Sequence, residues 1–199
     1  MLLIQNGLLY TMEDERPFYG DILLEEGKIF QIAEHIQIKG CEEVIDAKGK
    51  LVLPGFIDAH SHLGIAEEIA AEGFPAIAGP SLSSRSKYEV RELDFKTPGI
   101  LQKAGVTVAI TCDHPVSRIQ YLPLCAGLAA KEGLGEWNAL KAITIDAAEI
   151  CRVDDRVGSL KEGKDVDIVI YDGSPLEIKG NALITIINGK IVWERDAQY

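Results

Sequence analysis

The two ends of the chain share one pattern, in which short apolar runs alternate with turn signals, and this pattern constrains the fold most. Residues 1–54 and 158–199 both follow it, with Asn-Gly turns at positions 6–7 and 188–189. Spacing this close predicts hairpins, because a crossover helix needs a longer connection. Neither end alone has enough strands to bury a core. We therefore predict one composite β-sandwich domain that is built from both ends.

The middle of the chain, residues 55–157, has a different rhythm. An apolar strand is predicted at 106–113, and helices are predicted at 122–131 and 136–150. Strands that alternate with helices are typical of an α/β domain with parallel strands. The predicted fold class is therefore α/β plus β, with a parallel sheet or barrel fragment between the two halves of the sandwich.

Charge and cysteine usage exclude several classes of partner and compartment. The chain has 31 acidic and 20 basic residues, a formal net charge of −11, which disfavours binding to nucleic acid or to an anionic membrane. We find no apolar run of membrane-spanning length and no secretory signal. The four cysteines form no CxxC pair, and we expect Cys112 and Cys125 to be buried free thiols. These features predict a cytoplasmic protein.

Two histidines lie two residues apart at the end of an apolar run. Side chains alternate along a strand, so His60 and His62 point the same way, together with Asp58. Two imidazoles on one face can bind one metal ion. The alternative is a pair of surface histidines near a strand end.

A second candidate group lies at the end of the strand predicted at 106–113. Its even-numbered residues are apolar, whereas Thr107, Ala109, Thr111 and Asp113 form a small, polar face. A carboxylate at the carboxyl end of a barrel strand can bind a metal or act as a general base. The alternative is that Asp113 caps a turn before His114. His114 has the opposite strand parity, which places it at the rim.

Three segments resemble the amidohydrolase superfamily. They are PGFIDAHSHLG at 54–64, TCDHP at 111–115 and INGKIVWE at 187–194. Members similar to imidazolonepropionase and dihydroorotase couple a TIM-type (β/α)₈ barrel to a small β-sandwich made from both chain ends. They hydrolyse C–N bonds of cyclic amides, amines and related small molecules with one or two divalent metals.

The resemblance implies a role for each candidate residue. His60 and His62 become ligands of a divalent metal, with zinc as the expected ion, and Asp113 becomes a ligand and the proton acceptor for the attacking water. Asp58 and His114 are expected to lie next to the metal ligands and to hold them in place without binding the metal. The barrel portion is assigned to 55–157.

The chain departs from the family in length. A complete barrel takes about 250 residues, whereas 55–157 holds 103. The further histidines that the family supplies from its middle strands are absent. Text similar to the first strand runs, within about ten residues, into text similar to the end of the sixth helix and the seventh strand, FPAIAGP at 74–80. The middle of the barrel is therefore expected to be missing from this chain.

Two hypotheses of function follow. The first is a shortened, metal-dependent hydrolase that cleaves C–N bonds of a small-molecule substrate. In this hypothesis Arg85 and Lys87 contact an anionic substrate; the alternative for these two residues is that they are solvated charges of a loop. The second is a non-catalytic remnant that serves as a binding or oligomerisation module. Open strand edges and apolar helix faces favour a homodimer under either hypothesis.

Overall fold

A computed structural model describes residues 1–14, 16–38, 40–41, 43–58, 72–79, 81–82 and 94–195. The chain divides into two compact units. The sheet unit combines Met1–Gly55 with Val153–Tyr199, and the helical unit is Phe56–Arg152.

The sheet unit is built from strands supplied by both chain ends. They are β1 (Leu2–Leu9), β2 (Phe18–Glu25), β3 (Lys28–Ala33), β4 (Glu43–Asp46), β5 (Leu51–Pro54), β8 (Ile168–Tyr171), β9 (Ala182–Ile187) and β10 (Lys190–Glu194). Hydrogen bonding joins them in the order β10-β9-β8-β5-β1-β2-β3, and β4 also pairs with β1. Most neighbours are antiparallel, while β1 pairs in parallel with β4 and β5. The predicted sandwich of two sheets is not confirmed, because the strands form one mixed sheet.

This sheet curls around a main apolar core, and a smaller cluster of Leu3, Leu23 and Ile36 is separate from it. The Ile29 N–H donates to Lys164 O at 3.0 Å, and the Val166 N–H donates to Gly27 O at 3.0 Å, so the β2–β3 hairpin reaches the segment before β8. Ile29 and Ile186, from opposite ends of the strand order, belong to the same buried cluster. Curling thus lets a single sheet enclose a core that would otherwise need a second layer.

The first strand runs through a position where the sequence predicts a turn. Asn6 has a φ of 61°, yet β1 continues past it with a shift of register between Ile4 and Gly7. The Asn6 N–H donates to the Asp21 carboxylate at 2.9 Å, and its side-chain amide donates to Asp46 at 2.9 Å. These two bonds satisfy the unpaired groups of a β-bulge, so no hairpin is needed.

In its described residues, the helical unit contains two short strands and several helical segments. They are β6 (Ala76–Ala78), α1 (Thr97–Lys103), β7 (Val108–Ile110), a 3₁₀ turn (Ile119–Tyr121), α2 (Leu122–Ala129), a π-type turn (Ala130–Leu134), α3 (Glu136–Ala142) and α4 (Ile145–Cys151). β6 and β7 are parallel, with Ala76 opposite Val108 and Ala78 opposite Ile110. None of the helices in the described part of the chain is both long and apolar enough to cross a bilayer.

Helices cover both faces of β7. Leu101 of α1 packs with Val106 and Val108 on one face. On the other face, Ala109 packs against Ala147 of α4. α4 packs closely on this second face because Ala109 and Ala147 are both small.

The single helix predicted at 136–150 is two helices. The break falls at Thr144, whose backbone has φ −134° and ψ −101°. The Thr144 hydroxyl donates to Leu140 O at 2.6 Å, which satisfies a carbonyl that the helix would otherwise use itself. The apolar stripe continues across the break, and a stripe alone does not reveal such an interruption.

Candidate active site

The candidate site lies where β7 ends and the chain turns. Asp113 follows the last residue of β7 by three positions and has a φ of 54°, which non-glycine residues seldom adopt. Its N–H donates to the Thr111 hydroxyl at 3.0 Å, and its carbonyl accepts the Val116 N–H at 2.7 Å. The turn therefore holds the half-buried Asp113 in one backbone conformation.

The carboxyl end of β6 reaches the same place. The Thr111 N–H donates to Ala78 O at 3.0 Å, which extends the pairing of the two strands by one residue. Gly79 follows with a φ of 145°, and a Cβ built on it would lie 2.2 Å from Thr111 O. Only glycine permits this approach, so Gly79 is a structural requirement of the site that sequence reasoning missed. Its signal was a glycine directly after the apolar run of β6.

Asp58 reaches β7 from the opposite edge. Its carboxylate oxygens accept the Cys112 N–H at 3.1 and 3.3 Å. Because successive N–H groups of an extended chain point to opposite edges, and the Thr111 N–H faces β6, Asp58 lies on the edge away from β6. Residues 56–58 are not in a strand, so this contact with β7 is made by the Asp58 side chain.

Two buried thiols lie beneath this turn. The Sγ atoms of Cys112 and Cys125 are 3.8 Å apart, and both residues are buried. Burial raises the pKa of the Cys112 thiol to about 12, and the neighbouring Cys125 and the Asp58 carboxylate add to this effect. Burial likewise raises the pKa of Cys125. Both cysteines are buried free thiols, as predicted.

The remaining predicted site residues have different outcomes. His114 is described and exposed, directly after Asp113. His60, His62, Arg85 and Lys87 lie outside the described residues, so their roles stay predictions. Among the described residues, no group of three or more histidine, cysteine, aspartate or glutamate side chains is placed to hold a metal.

A cavity of about 230 Å³ lies at the other end of the two strands. Its lining includes Phe74, Val106, Thr107, Glu149 and Ile150. These residues surround the amino ends of β6 and β7, whereas Asp113 follows the carboxyl end of β7. The cavity is therefore separate from the candidate site.

Comparison with known proteins defines the class. A sequence profile described as the amidohydrolase family matches residues 43–85 and 99–193. The chain belongs to this family.

Curated relatives share shorter stretches. A 5'-deoxyadenosine deaminase from Methanobrevibacter smithii is 33% identical over 79 residues, which are 37% of this chain and 18% of the relative. A 5-methylthioadenosine/S-adenosylhomocysteine deaminase from Thermococcus onnurineus is 43% identical over 61 residues, 31% of this chain and 14% of the relative. A dihydroorotase from a Sulfurihydrogenibium species is 39% identical over 85 residues, 40% of this chain and 20% of the relative. The matches thus span no more than about a fifth of these relatives' lengths.

Solved structures show the fold. An amidohydrolase from Thermotoga maritima superposes with a TM-score of 0.92 at 18% identity, over 98% of this chain and 100% of that one. An adenosine deaminase from Xanthomonas campestris with bound zinc superposes with a TM-score of 0.66 at 13% identity, over 96% and 92% of the two chains.

Proposed function

We propose that this chain carries the metal-dependent site of a hydrolase that acts on C–N bonds of small amides or amines, cyclic ones included. The observation that carries the proposal is the turn at the end of β7, which fixes Asp113 beside the segment that leads to His60 and His62. The family match supports it, because it includes both segments. β6 and β7 are then two neighbouring strands of the family's (β/α) barrel, within residues 55–157.

The donor set fits a divalent metal. Two imidazoles and one carboxylate, from His60, His62 and Asp113, are the ligand types and number of a catalytic zinc site that keeps one open position. When bound, such an ion supplies Lewis-acid activation of water. We assign zinc as the expected ion, and its presence in a structural relative supports this choice.

The protein's own groups then perform the proton transfers. The Asp113 carboxylate accepts the proton of the attacking water and returns it to the leaving nitrogen, which balances the reaction without another acid. The Thr111 hydroxyl and the Val116 N–H hold the Asp113 backbone while this occurs. Arg85 and Lys87 are proposed to contact an anionic substrate, and Asp58 and His114 to support the ligands.

The barrel portion has exposed apolar side chains near the site that a second copy of the chain would cover. Val116, Ile119 and Tyr121 are 58%, 53% and 45% exposed. We propose a homodimer on this basis, with no role for nucleic acid or membrane, in the cytoplasm. Sedimentation velocity at micromolar concentration tests the dimer, and a stable monomer would contradict it.

The activity is tested with the whole chain loaded with zinc. We would measure ring opening of cyclic amides and ammonia release from aminopurine nucleosides, for the wild type, Asp113→Asn and the exposed control Asp154→Asn. Loss of a positioned general base lowers turnover about 10²–10⁴-fold, so Asp113→Asn should lose activity and Asp154→Asn should keep it. Equal rates for wild type and Asp113→Asn on every substrate would contradict the proposed hydrolase and leave the hypothesis of a non-catalytic module.

A further inference from the structure

The turn that carries Asp113 is held by four backbone hydrogen bonds. The Cys112 carbonyl accepts the Ser117 N–H at 3.2 Å, and the Asp113 N–H and carbonyl bond to Thr111 and Val116. These three bonds close within residues 111–117. The fourth bond, from the Cys112 N–H to Asp58, joins residues 54 positions apart and reaches the strand end from the edge away from β6. Toward β6, the Thr111 N–H donates to Ala78 O at 3.0 Å and the Ser117 hydroxyl donates to Leu82 O at 3.2 Å.

This distant bond is of the stronger kind. A carboxylate that accepts a backbone N–H forms a charge-assisted hydrogen bond, roughly twice as strong as a neutral one. Both Asp58 oxygens approach the Cys112 nitrogen, and Cys112 itself is fully buried. A bond at a buried amide is screened little by solvent. Asp58 therefore fixes the strand end from which the turn departs.

We propose that Asp58 is a positioning residue, which acts through the Cys112 amide to hold the Asp113 turn in register with the segment that leads to His60 and His62. Thr111 sets the local shape of the turn, whereas Asp58 sets its place relative to the other predicted ligands. This inference rests on the proposed function for its consequence, the affinity for metal. The hydrogen bond itself can be tested without any activity.

The test uses the four cysteines of the chain as reporters. Selective ¹⁵N-cysteine labelling gives one amide signal per cysteine, each assigned by a Cys→Ala substitution. Hydrogen exchange is compared in wild type, Asp58→Ala, Asp58→Asn and the control Asp94→Ala. Asp94 is a matched control, because its carboxylate accepts the Lys96 N–H at 3.0 Å elsewhere in the same unit.

We expect exchange of the Cys112 amide to rise at least about tenfold in Asp58→Ala, since a hydrogen bond to a charged group is lost. Asp58→Asn should recover part of the protection, because the side-chain amide oxygen accepts the same bond without the charge. The Cys125 and Cys151 amides should keep their rates, which shows that the unit remains folded. Unchanged Cys112 exchange in Asp58→Ala would overturn the proposal.

A second readout measures zinc affinity by competition with a chromophoric chelator. Loss of groups that orient ligands weakens metal binding about 10–100-fold, so Asp58→Ala should bind zinc in that range more weakly and Asp58→Asn less so. Equal affinity in wild type and Asp58→Ala would overturn the positioning role. If exchange of the Cys112 amide rises in Asp58→Ala but the wild-type chain binds no zinc, the result supports the placement of the turn by Asp58. The same result contradicts the proposed function.

Discussion

The two units of this chain are built in different ways. In the sheet unit, strands from both chain ends share one sheet and one main apolar core, with a smaller, separate cluster of Leu3, Leu23 and Ile36. In the helical unit, the described strands are three residues each, and helices pack against both faces of β7. The comparison teaches that the candidate chemistry lies in the unit whose described strands are short. The continuous sheet supplies a large core, whereas the candidate site depends on local turns.

The largest expected effect breaks the core of the sheet unit. Ile170 in β8 is 1% exposed within the main cluster, so Ile170→Ala should cost about 2–5 kcal/mol of unfolding free energy. Ile178→Ala is the matched control, because Ile178 is 89% exposed and its truncation should change stability by less than about 0.5 kcal/mol. Each unit has one of the two tryptophans, so Trp193 fluorescence in a Trp137→Phe background reports this unit during urea unfolding. Equal urea midpoints for Ile170→Ala and Ile178→Ala would contradict the placement of Ile170 in the main core.

A smaller effect is expected where the two strands of the helical unit meet. Gly79→Ala places a methyl group against Thr111 O at a positive φ, and we expect a loss of about 2–4 kcal/mol from overpacking and backbone strain together. Gly105→Ala shares the positive φ but meets no atom within 4 Å, so it should lose only about 1 kcal/mol. Trp137 fluorescence in a Trp193→Phe background follows this unit. Equal losses of unfolding free energy in Gly79→Ala and Gly105→Ala would contradict the close approach of Gly79 to Thr111.

Sequence patterns predicted strands better than they predicted where elements stop. Alternation of apolar residues predicted strands in both chain ends, because a half-buried sheet imposes that period directly. The same patterns predicted a turn at Asn6 and a continuous helix through Thr144. At Asn6 the error arises from a hydrogen bond to the Asp21 carboxylate, 15 positions away, which a local pattern does not show. At Thr144 the partner, Leu140, is only four residues earlier, but threonine makes this bond inside continuous helices as well, so the pattern does not predict a break.

The sequence alone selected two of the candidate-site residues that the structure describes. Asp113 was identified because a carboxylate at the end of an apolar strand is unusual, and Asp58 because it shares parity with two histidines. The link between Asp58 and the Cys112 amide joins residues 54 positions apart, and no spacing rule indicates it. The roles of His60, His62, Arg85 and Lys87 stay predictions.

The smallest expected effect concerns an ion-pair network of the sheet unit. Asp165 bonds to Lys28 and to Arg156, the latter at 2.7 Å, and these hydrogen bonds lower the pKa of its carboxyl group. Because the folded pKa lies below the unfolded value of about 3.9, the network stabilises the fold fully above that pH and loses this contribution as the pH falls through the folded pKa. Asp165→Asn should cost about 0.5–1 kcal/mol at pH 7.

The pH dependence provides the check on Asp165. Urea unfolding of wild type and Asp165→Asn should differ at pH 7 and converge toward pH 2, whereas the exposed control Asp14→Asn should follow the wild type at pH 7. A difference that is independent of pH would show that Asp165 acts through packing rather than through its charge.

The most direct test of the central claim is the zinc content of the chain. After equilibrium dialysis against zinc, elemental analysis should find one equivalent in wild type and in the control His35→Ala, whose imidazole lies in the sheet unit 3.3 Å from the Asp21 carboxylate. The double variant His60→Ala/His62→Ala should lose that equivalent, because two of its three proposed ligands are gone. Retention of one equivalent by the double variant, or two tightly bound ions in wild type, would contradict the proposed site.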